Sequence, residues 1–289
     1  MTADVDVDVI IVNFNAGEHL PRCIASLDHS TGTRRWHAVV VDNASSDGSA
    51  DFIATHPRVT LVRNEVNRGF GAAVNQAAAR TGAPLLWLLN PDCVVEPGTL
   101  DKLEAVLTQR RDCAIAAPQL LNTNGSVQAS ARGEPTAWTG LFGRHGLLTR
   151  FFPRSAIARR NLPAEDLVMA KTESEAVDWV MGASMLIRRD LFDLVGGFDE
   201  GYFLYWEDAD LCRRLRDRGF TTRYVPAARV VHAGGASANT SSTLAIRAFH
   251  RSAYRYYATH VVPSPWHPAR WMARGALYVR ARWRVWRER

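Results

Sequence analysis

Long apolar runs are missing from this 289-residue chain. Runs such as residues 9–12 and 85–89 fall far short of the roughly 20 residues that cross a bilayer, which excludes a polytopic membrane protein. Cysteine is scarce: Cys23, Cys93, Cys113 and Cys212 stand far apart and form no CxxC pair. That excludes zinc-ligand spacing and a disulfide framework, and it fits a reduced, cytoplasmic protein. Lysine is almost absent, with only Lys102 and Lys171, a bias that reads as coding composition rather than function. The first eight residues carry acids and no basic segment, so they do not read as a signal peptide. What is present, 47% hydrophobic and 22% charged residues, excludes disorder and collagen. This length buries the core of one large α/β domain, with or without an appendage.

The formal charge of +6 is unevenly placed. Residues 244–289 hold ten arginines and one acid, Glu288, for a net +9, which leaves −3 for the rest. The chain therefore divides into a body, 1–243, and a basic helical extension, 244–289. Helices are expected over 247–260 and 270–287, parted by a breaker from Pro263 to Pro268. In the second, Met272, Ala276, Val279, Trp283 and Trp286 form one apolar stripe, while Arg270, Arg274, Arg280, Arg284 and Arg287 lie mainly elsewhere. Tryptophan and arginine on an amphipathic helix mark a segment lying in a membrane interface. Each basic residue near an anionic leaflet adds ~1 kcal/mol. The competing reading is a solvated helix whose tryptophans pack on the body. Nucleic-acid binding is disfavoured, because the body is net negative and no groove-reading motif occurs.

Within the body, strand-like runs at 5–12, 36–41, 59–62 and 84–89 alternate with helical segments at 18–27, 49–55, 71–80 and 97–109. Such alternation builds a mainly parallel sheet flanked by helices, an α/β fold. Residues 121–176 lack a period and suit loops around an open site. Pattern returns with a strand at 177–187, a helix at 208–218 and short strands at 221–225 and 229–231.

Ligands of open parallel sheets bind beyond the carboxyl ends of the strands. Those ends carry Asn13-Phe14-Asn15, Asp42-Asn43 and Asn90-Pro91-Asp92. Any one alone is a turn or a helix cap; three in register mark a shared site. Gly69-Phe70-Gly71 supplies a G-x-G, but Val74 stands where a third glycine belongs, so a dinucleotide site is rejected. Asp92, on a tight Asn-Pro turn, is a hard oxygen ligand suited to Mg²⁺ or Mn²⁺. One carboxylate rarely holds Mg²⁺ without substrate phosphates, which points to a metal-bound diphosphate. The densest cluster is Tyr202-Phe203-Leu204-Tyr205-Trp206-Glu207-Asp208-Ala209-Asp210. Asp210 is best explained as a complement to the helix dipole. Glu207 and Asp208 follow four aromatics, an apolar wall able to raise a carboxylate pKa and exclude water, as a general base requires.

Seven motifs, in this order, carry a resemblance. They are Val9-Ile10-Ile11-Val12-Asn13-Phe14-Asn15, Val41-Asp42-Asn43-Ala44-Ser45-Ser46-Asp47-Gly48, Asn67-Arg68-Gly69-Phe70-Gly71-Ala72-Ala73-Val74-Asn75 and Leu89-Asn90-Pro91-Asp92. Trp179-Val180-Met181-Gly182-Ala183, Gly196-Gly197-Phe198-Asp199-Glu200 and Tyr205-Trp206-Glu207-Asp208-Ala209-Asp210-Leu211 complete the set. Over about residues 5–235 the chain resembles glycosyltransferase family 2, inverting enzymes of GT-A fold. Within that family it is most like the rhamnosyltransferases of actinobacterial cell-wall linkers, which act on polyprenyl-diphosphate-linked N-acetylglucosamine.

The resemblance implies roles for individual residues. Phe14 and Asn15 would flank the nucleobase, Asp42 would accept from a uracil or thymine ring N–H, and Arg68 and Gly69 would lie near base and phosphates. Asn90-Pro91-Asp92 stands where the family often has Asp-x-Asp, making Asp92 the metal-binding acid, with Asn90 near ribose or metal. His232 falls where some members supply an imidazole ligand. Trp179 and Gly182 would shape the sugar and acceptor pocket. Asp208 would be the base that deprotonates the acceptor hydroxyl, with Glu207 orienting acceptor or sugar. The implied donor is dTDP-rhamnose, or a UDP-sugar such as UDP-galactofuranose, and the implied cofactor is Mg²⁺ or Mn²⁺. The implied acceptor is a lipid-linked sugar, met by a peripheral enzyme on the anionic inner face of the cell membrane. A homo-oligomer is compatible with this, and a non-catalytic nucleotide-sugar-binding protein is the alternative outside the class.

Overall fold

A computed structural model describes residues 5–135, 173–234 and 242–288. Most of the aperiodic stretch 121–176, together with Lys171, therefore lies outside the described residues, as do residues 1–4 of the acidic N-terminus.

Apolar runs with period-two alternation form the first four strands: β1 (Val7–Asn13), β2 (Trp36–Asp42), β3 (Val59–Arg63) and β4 (Leu85–Leu89). Between them run α1 (His19–Ser30), a 3₁₀ turn (Asp51–Thr55) and α2 (Phe70–Ala78). These strands are mutually parallel, in the order β3-β2-β1-β4. Alternation sends Val9 and Ile11 to one face and Ile10 and Val12 to the other. The first face packs on Leu20, Ile24 and Leu27 of α1 and on Leu100, Leu103 and Leu107 of α3 (Thr99–Gln109). The second packs on Ala73, Val74 and Ala77 of α2, Leu191 and Phe192 of α4 (Arg189–Leu194), and Leu211 and Leu215 of α5 (Glu207–Arg216). The sheet is thus buried on both sides, as a parallel sheet requires.

Beyond β4 the sheet becomes mixed. Its remaining path is β10 (Ser184–Arg188), β6 (Cys113–Leu121), β11 (Thr221–His232) and β5 (Cys93–Val95), with β8 (Glu175–Val177) also on β11. β10 is antiparallel to β4 and β6, while β6 and β11 are parallel. A small second sheet pairs β7 (Ala131–Arg132) with β9 (Trp179–Val180). The expected strand at 177–187 is broken into β8, β9 and β10, and the break at Met181–Ala183 carries part of the site. The expected pair of strands at 221–225 and 229–231 is one strand, β11, with a register shift between Val225 and Arg229. Pro118 of β6 lies opposite Val225, beside that shift. A strand proline is tolerated at such an irregularity, where its missing N–H costs little.

The C-terminal segment holds α6 (Ser242–Tyr256), a π turn (Tyr257–Val261) and α7 (Pro268–Arg287). Tyr256 of α6 packs with Tyr202 and Ala209 beside the start of α5, with Trp179 and Trp206 against them. α7 buries Ala273, Leu277, Ala281 and Val285, a stripe at four-residue spacing, and packs along α6. Among the described residues no helix is long and apolar enough to cross a membrane.

Candidate active site

Three loops meet at the carboxyl ends of β1, β2 and β4. Asn13 and Asp42 are register partners, and the Asn13 side-chain amide donates to the Asp42 carboxylate at 2.9 Å and to Ser49 at 2.8 Å. Arg63 stands 3.6 Å from the other Asp42 oxygen. Asn43 ties this corner to the next loop. Its amide donates to the Asn67 side chain and the Gly69 carbonyl, and its oxygen accepts from the Arg68 N–H at 3.0 Å. Asn15 turns back at φ 52° and accepts from the Ser46 N–H. Asn15, Asp42, Arg68 and Gly69 are thereby joined through hydrogen bonds at one edge, with half-buried Phe14 beside them. Gly69 has φ 85°, and a Cβ there would lie 2.4 Å from the Phe203 carbonyl oxygen. The residue has to be glycine because loop 67–70 rests directly on the aromatic loop ahead of α5.

The second corner is made by register. β5 runs antiparallel to β11 with Cys93 opposite His232, which sets His232 beside Asp92 on the turn between β4 and β5. His232 Nε2 is 3.3 Å from Asp92 Oδ1 and 3.4 Å from the Asn90 side-chain nitrogen. Asp92, Cys93 and His232 offer ligand atoms all within 4.8 Å of one another, and all three residues are buried. Ligands of one divalent ion sit ~3 Å or more apart, so this donor set fits one. The Cys93 thiol is directed at the Ala183 carbonyl at 3.3 Å, and burial holds it protonated, well above its usual range. Asp92 and His232 are therefore the ready oxygen and nitrogen donors, a pair suited to Mg²⁺ or Mn²⁺.

The third corner is the start of α5. Tyr205 and Trp206 both have positive φ, at 67° and 72°, two strained residues in succession. Such strain persists where surrounding structure over-determines it, and it clusters at functional sites. Here Phe249 and Tyr256 of α6 hold the Trp206 ring at centroid distances of 5.9 and 5.3 Å, and Phe249 also meets Tyr205. The turn delivers Asp208, whose carboxylate accepts from the Gly182 N–H at 3.0 Å and the Ala209 N–H at 2.8 Å. The neighbouring Ala183 carbonyl accepts from the Asn90 N–H at 2.8 Å. One short stretch, Met181–Ala183, therefore joins the Asp92 corner to the acidic corner at the point where the strand breaks.

Similarity to known proteins decides the family. A model described as glycosyl transferase family 2 matches residues 8–162, and one described as glycosyl transferase family group 2 matches residues 136–286. The chain is 34% identical to an N-acetylglucosaminyl-diphospho-decaprenol L-rhamnosyltransferase of Mycobacterium tuberculosis, covering 94% of this chain and 91% of that protein. The chain belongs to glycosyltransferase family 2. Solved structures agree on the GT-A fold. One is a mannosyltransferase of Pyrobaculum calidifontis in complex with GDP-Man and Mn²⁺, with TM-score 0.60 and 17% identity, covering 98% of this chain and 73% of the other. Another is GalNAc-T7 with UDP, GalNAc and Mn²⁺, with TM-score 0.61 and 22% identity, covering 79% of this chain and 43% of the other.

As a family 2 glycosyltransferase, the chain has two acids with different electrostatics. Glu207 is buried, one of its oxygens has no partner, and burial together with the Asp208 charge pushes its pKa up to about 8. Asp208 is also raised by burial, but the Gly182 and Ala209 N–H groups and the Arg132 charge oppose this. The acid that stays ionised more readily is Asp208, the one held by two backbone donors. Asp210 points elsewhere. It accepts from Arg214 at 2.7 Å, pairs with His260 at 2.7 Å, and ties α5 to the π turn, a structural role. Trp179 donates to the Gly133 carbonyl and carries Arg132 over its ring. Arg132, Gln128 and the α6 aromatics are not legible as site residues in the sequence. Asn43 has a signal, as the second residue of a strand-end pair.

Proposed function

We propose that this family 2 enzyme transfers L-rhamnose from dTDP-rhamnose, with inversion, to a polyprenyl-diphosphate-linked sugar in cell-wall or polysaccharide synthesis. The observation that carries it is the Asp208 carboxylate, held by the Gly182 and Ala209 N–H groups on the stretch whose Ala183 carbonyl meets Asn90, two residues before Asp92. Inversion needs one base on the acceptor side and no nucleophile on the enzyme. Asp208 takes the proton of the acceptor hydroxyl as that oxygen bonds to the anomeric carbon and the bond to the nucleoside diphosphate breaks. Glu207, protonated, donates a hydrogen bond to the acceptor or the sugar. Asn15, Asp42, Arg68 and Gly69 hold the nucleotide, and Trp179 and Gly182 shape the sugar and acceptor pocket. Asp92 and His232 would hold Mg²⁺ or Mn²⁺, which when bound neutralises charge developing on the leaving diphosphate. Conversion of dTDP-rhamnose and a synthetic polyprenyl-diphosphate-N-acetylglucosamine to a disaccharide product tests this reading; failure with that pair alongside turnover of another donor would redirect it.

The body 1–243 is proposed as the catalytic domain and 244–289 as an extension that sets it on the cytoplasmic face of the membrane. Along α7 the stripe Met272, Ala276, Val279, Trp283 and Trp286 faces outward, with Trp286 72% exposed and Met272 68%. Trp271 and Trp266 are also exposed. An outward apolar stripe among arginines supports binding to an anionic leaflet, where a lipid-linked acceptor resides. Flotation with anionic vesicles tests it; equal binding with and without residues 263–289 contradicts it.

A further inference from the structure

His232 reaches Asp92 with one ring nitrogen, and the other is occupied. His232 Nδ1 lies 2.9 Å from Gln128 Oε1. The orientation of the Gln128 amide is fixed independently: its nitrogen donates to the His232 carbonyl at 2.7 Å and to the Asn122 side-chain oxygen at 2.9 Å. Asn122 is fixed in turn, since its amide nitrogen donates to Ser126. Only oxygen is left to face the imidazole, and an amide oxygen only accepts. Nδ1 must therefore carry hydrogen, and in the neutral imidazole that leaves the lone pair of Nε2 directed at the Asp92 carboxylate.

The local backbone serves this contact. After β6 the chain turns tightly over 122–126, with the Gly125 N–H on the Asn122 carbonyl at 2.9 Å and the Asn122 N–H on the Ser126 carbonyl at 2.7 Å. Gly125 takes φ 79° in that turn. The Gln128 N–H then returns to the Leu120 carbonyl at 2.8 Å. The result is a hairpin off the end of β6 whose half-buried glutamine reaches across to the last residue of β11.

We propose that Gln128 is a positioning residue for the metal: its side-chain oxygen fixes the ring plane and tautomer of His232 so that Nε2 is presented to the ion beside Asp92. This rests on the proposed role of Asp92 and His232 as ligands. A hydrogen-bond acceptor on the far nitrogen of a ligating histidine raises ligand basicity and holds its orientation, and losing it typically costs 10–100-fold in metal affinity.

The test is Mn²⁺ titration followed by electron paramagnetic resonance, in full-length protein saturated with dTDP. Gln128→Met removes the oxygen at similar volume. Gln128→Asn keeps an amide but withdraws it by one methylene. Both are expected to weaken Mn²⁺ binding by ~10-fold or more, with dTDP affinity in chelator unchanged. His232→Asn supplies the control a merely structural role would not satisfy. In that background Gln128→Met should weaken Mn²⁺ by no more than about two-fold, because Gln128 acts only through the imidazole. Wild-type Mn²⁺ affinity in Gln128→Met or Gln128→Asn overturns the proposal, and so does an equal loss in the His232→Asn background. If His232→Asn alone leaves Mn²⁺ affinity intact, the underlying metal assignment fails instead, a result distinguishable from failure of Gln128.

Discussion

Replacing Asp208 by asparagine separates the two acids at the start of α5. The Asp208 carboxylate accepts two backbone N–H groups, Gly182 at 3.0 Å and Ala209 at 2.8 Å. An amide has one oxygen, so one of these donors is left facing an NH₂. An unpaired group of that kind costs about 1–3 kcal/mol, a loss of several degrees in Tm for a chain of this size. The rate effect is larger. Removing a general base costs roughly 10²–10⁴-fold, or about 3–5 kcal/mol of barrier. In the proposed site donor affinity rests on the loops at Asn15, Asp42 and Arg68, so it should change less than about two-fold. Glu207→Gln is the matched comparison. With its pKa pushed up to about 8, Glu207 is mainly protonated at pH 7, and glutamine is the neutral isostere of that form. It should therefore lose far less than Asp208→Asn. Release of dTDP under saturating acceptor gives kcat, and calorimetric titration of donor gives Kd. The reasoning is refuted if Asp208→Asn keeps more than about a tenth of wild-type kcat, or if Glu207→Gln is the more damaged enzyme.

The raised Glu207 pKa also makes stability depend on pH. Between its unfolded value of 4.5 and about 8 the folded state binds more protons than the unfolded state, so stability falls as pH rises through that window. Glu207→Gln should flatten this slope, melting several degrees above wild type at pH 8 and close to it at pH 5; parallel melting curves contradict it. Gly69→Ala places a Cβ against the Phe203 carbonyl, in backbone that side chains rarely adopt. A cost of ~3 kcal/mol or more is expected, with loss of dTDP binding; wild-type melting and affinity would refute the packing described. Changing Trp271, Trp283 and Trp286 together to serine should reduce anionic-vesicle binding by ~10-fold or more while leaving turnover of a water-soluble acceptor analogue intact. Unaltered flotation argues against that face.

The first half of the sheet was legible because its strands are continuous apolar runs separated by helical segments, as Val9–Val12 and Leu85–Leu89 show. β6 was not, although it is buried throughout. Pro118 interrupts its pattern, and the irregularity in β11 that accommodates the proline is a tertiary feature. The site was legible where local chemistry repeats at strand ends: Asp42, Asn90 and Asp92. It was opaque where partners come from distant elements. Nothing local to Gln128 indicates that it meets His232, 104 residues away. The stripe on α7 was readable from its spacing, but its outward direction depends on which face α6 covers. The small residues Ala273 and Ala281 prevail there because they allow close helix packing.

The central claim is inverting transfer of rhamnose with Asp208 as sole base. It is tested most directly by nuclear magnetic resonance of the product made from dTDP-L-rhamnose and a short polyprenyl-diphosphate-N-acetylglucosamine with Mn²⁺. The account predicts a single rhamnoside of anomeric configuration opposite to the donor, formed by wild type and nearly absent with Asp208→Asn. A product of retained configuration, or inverted product formed at wild-type rate by Asp208→Asn, would contradict it.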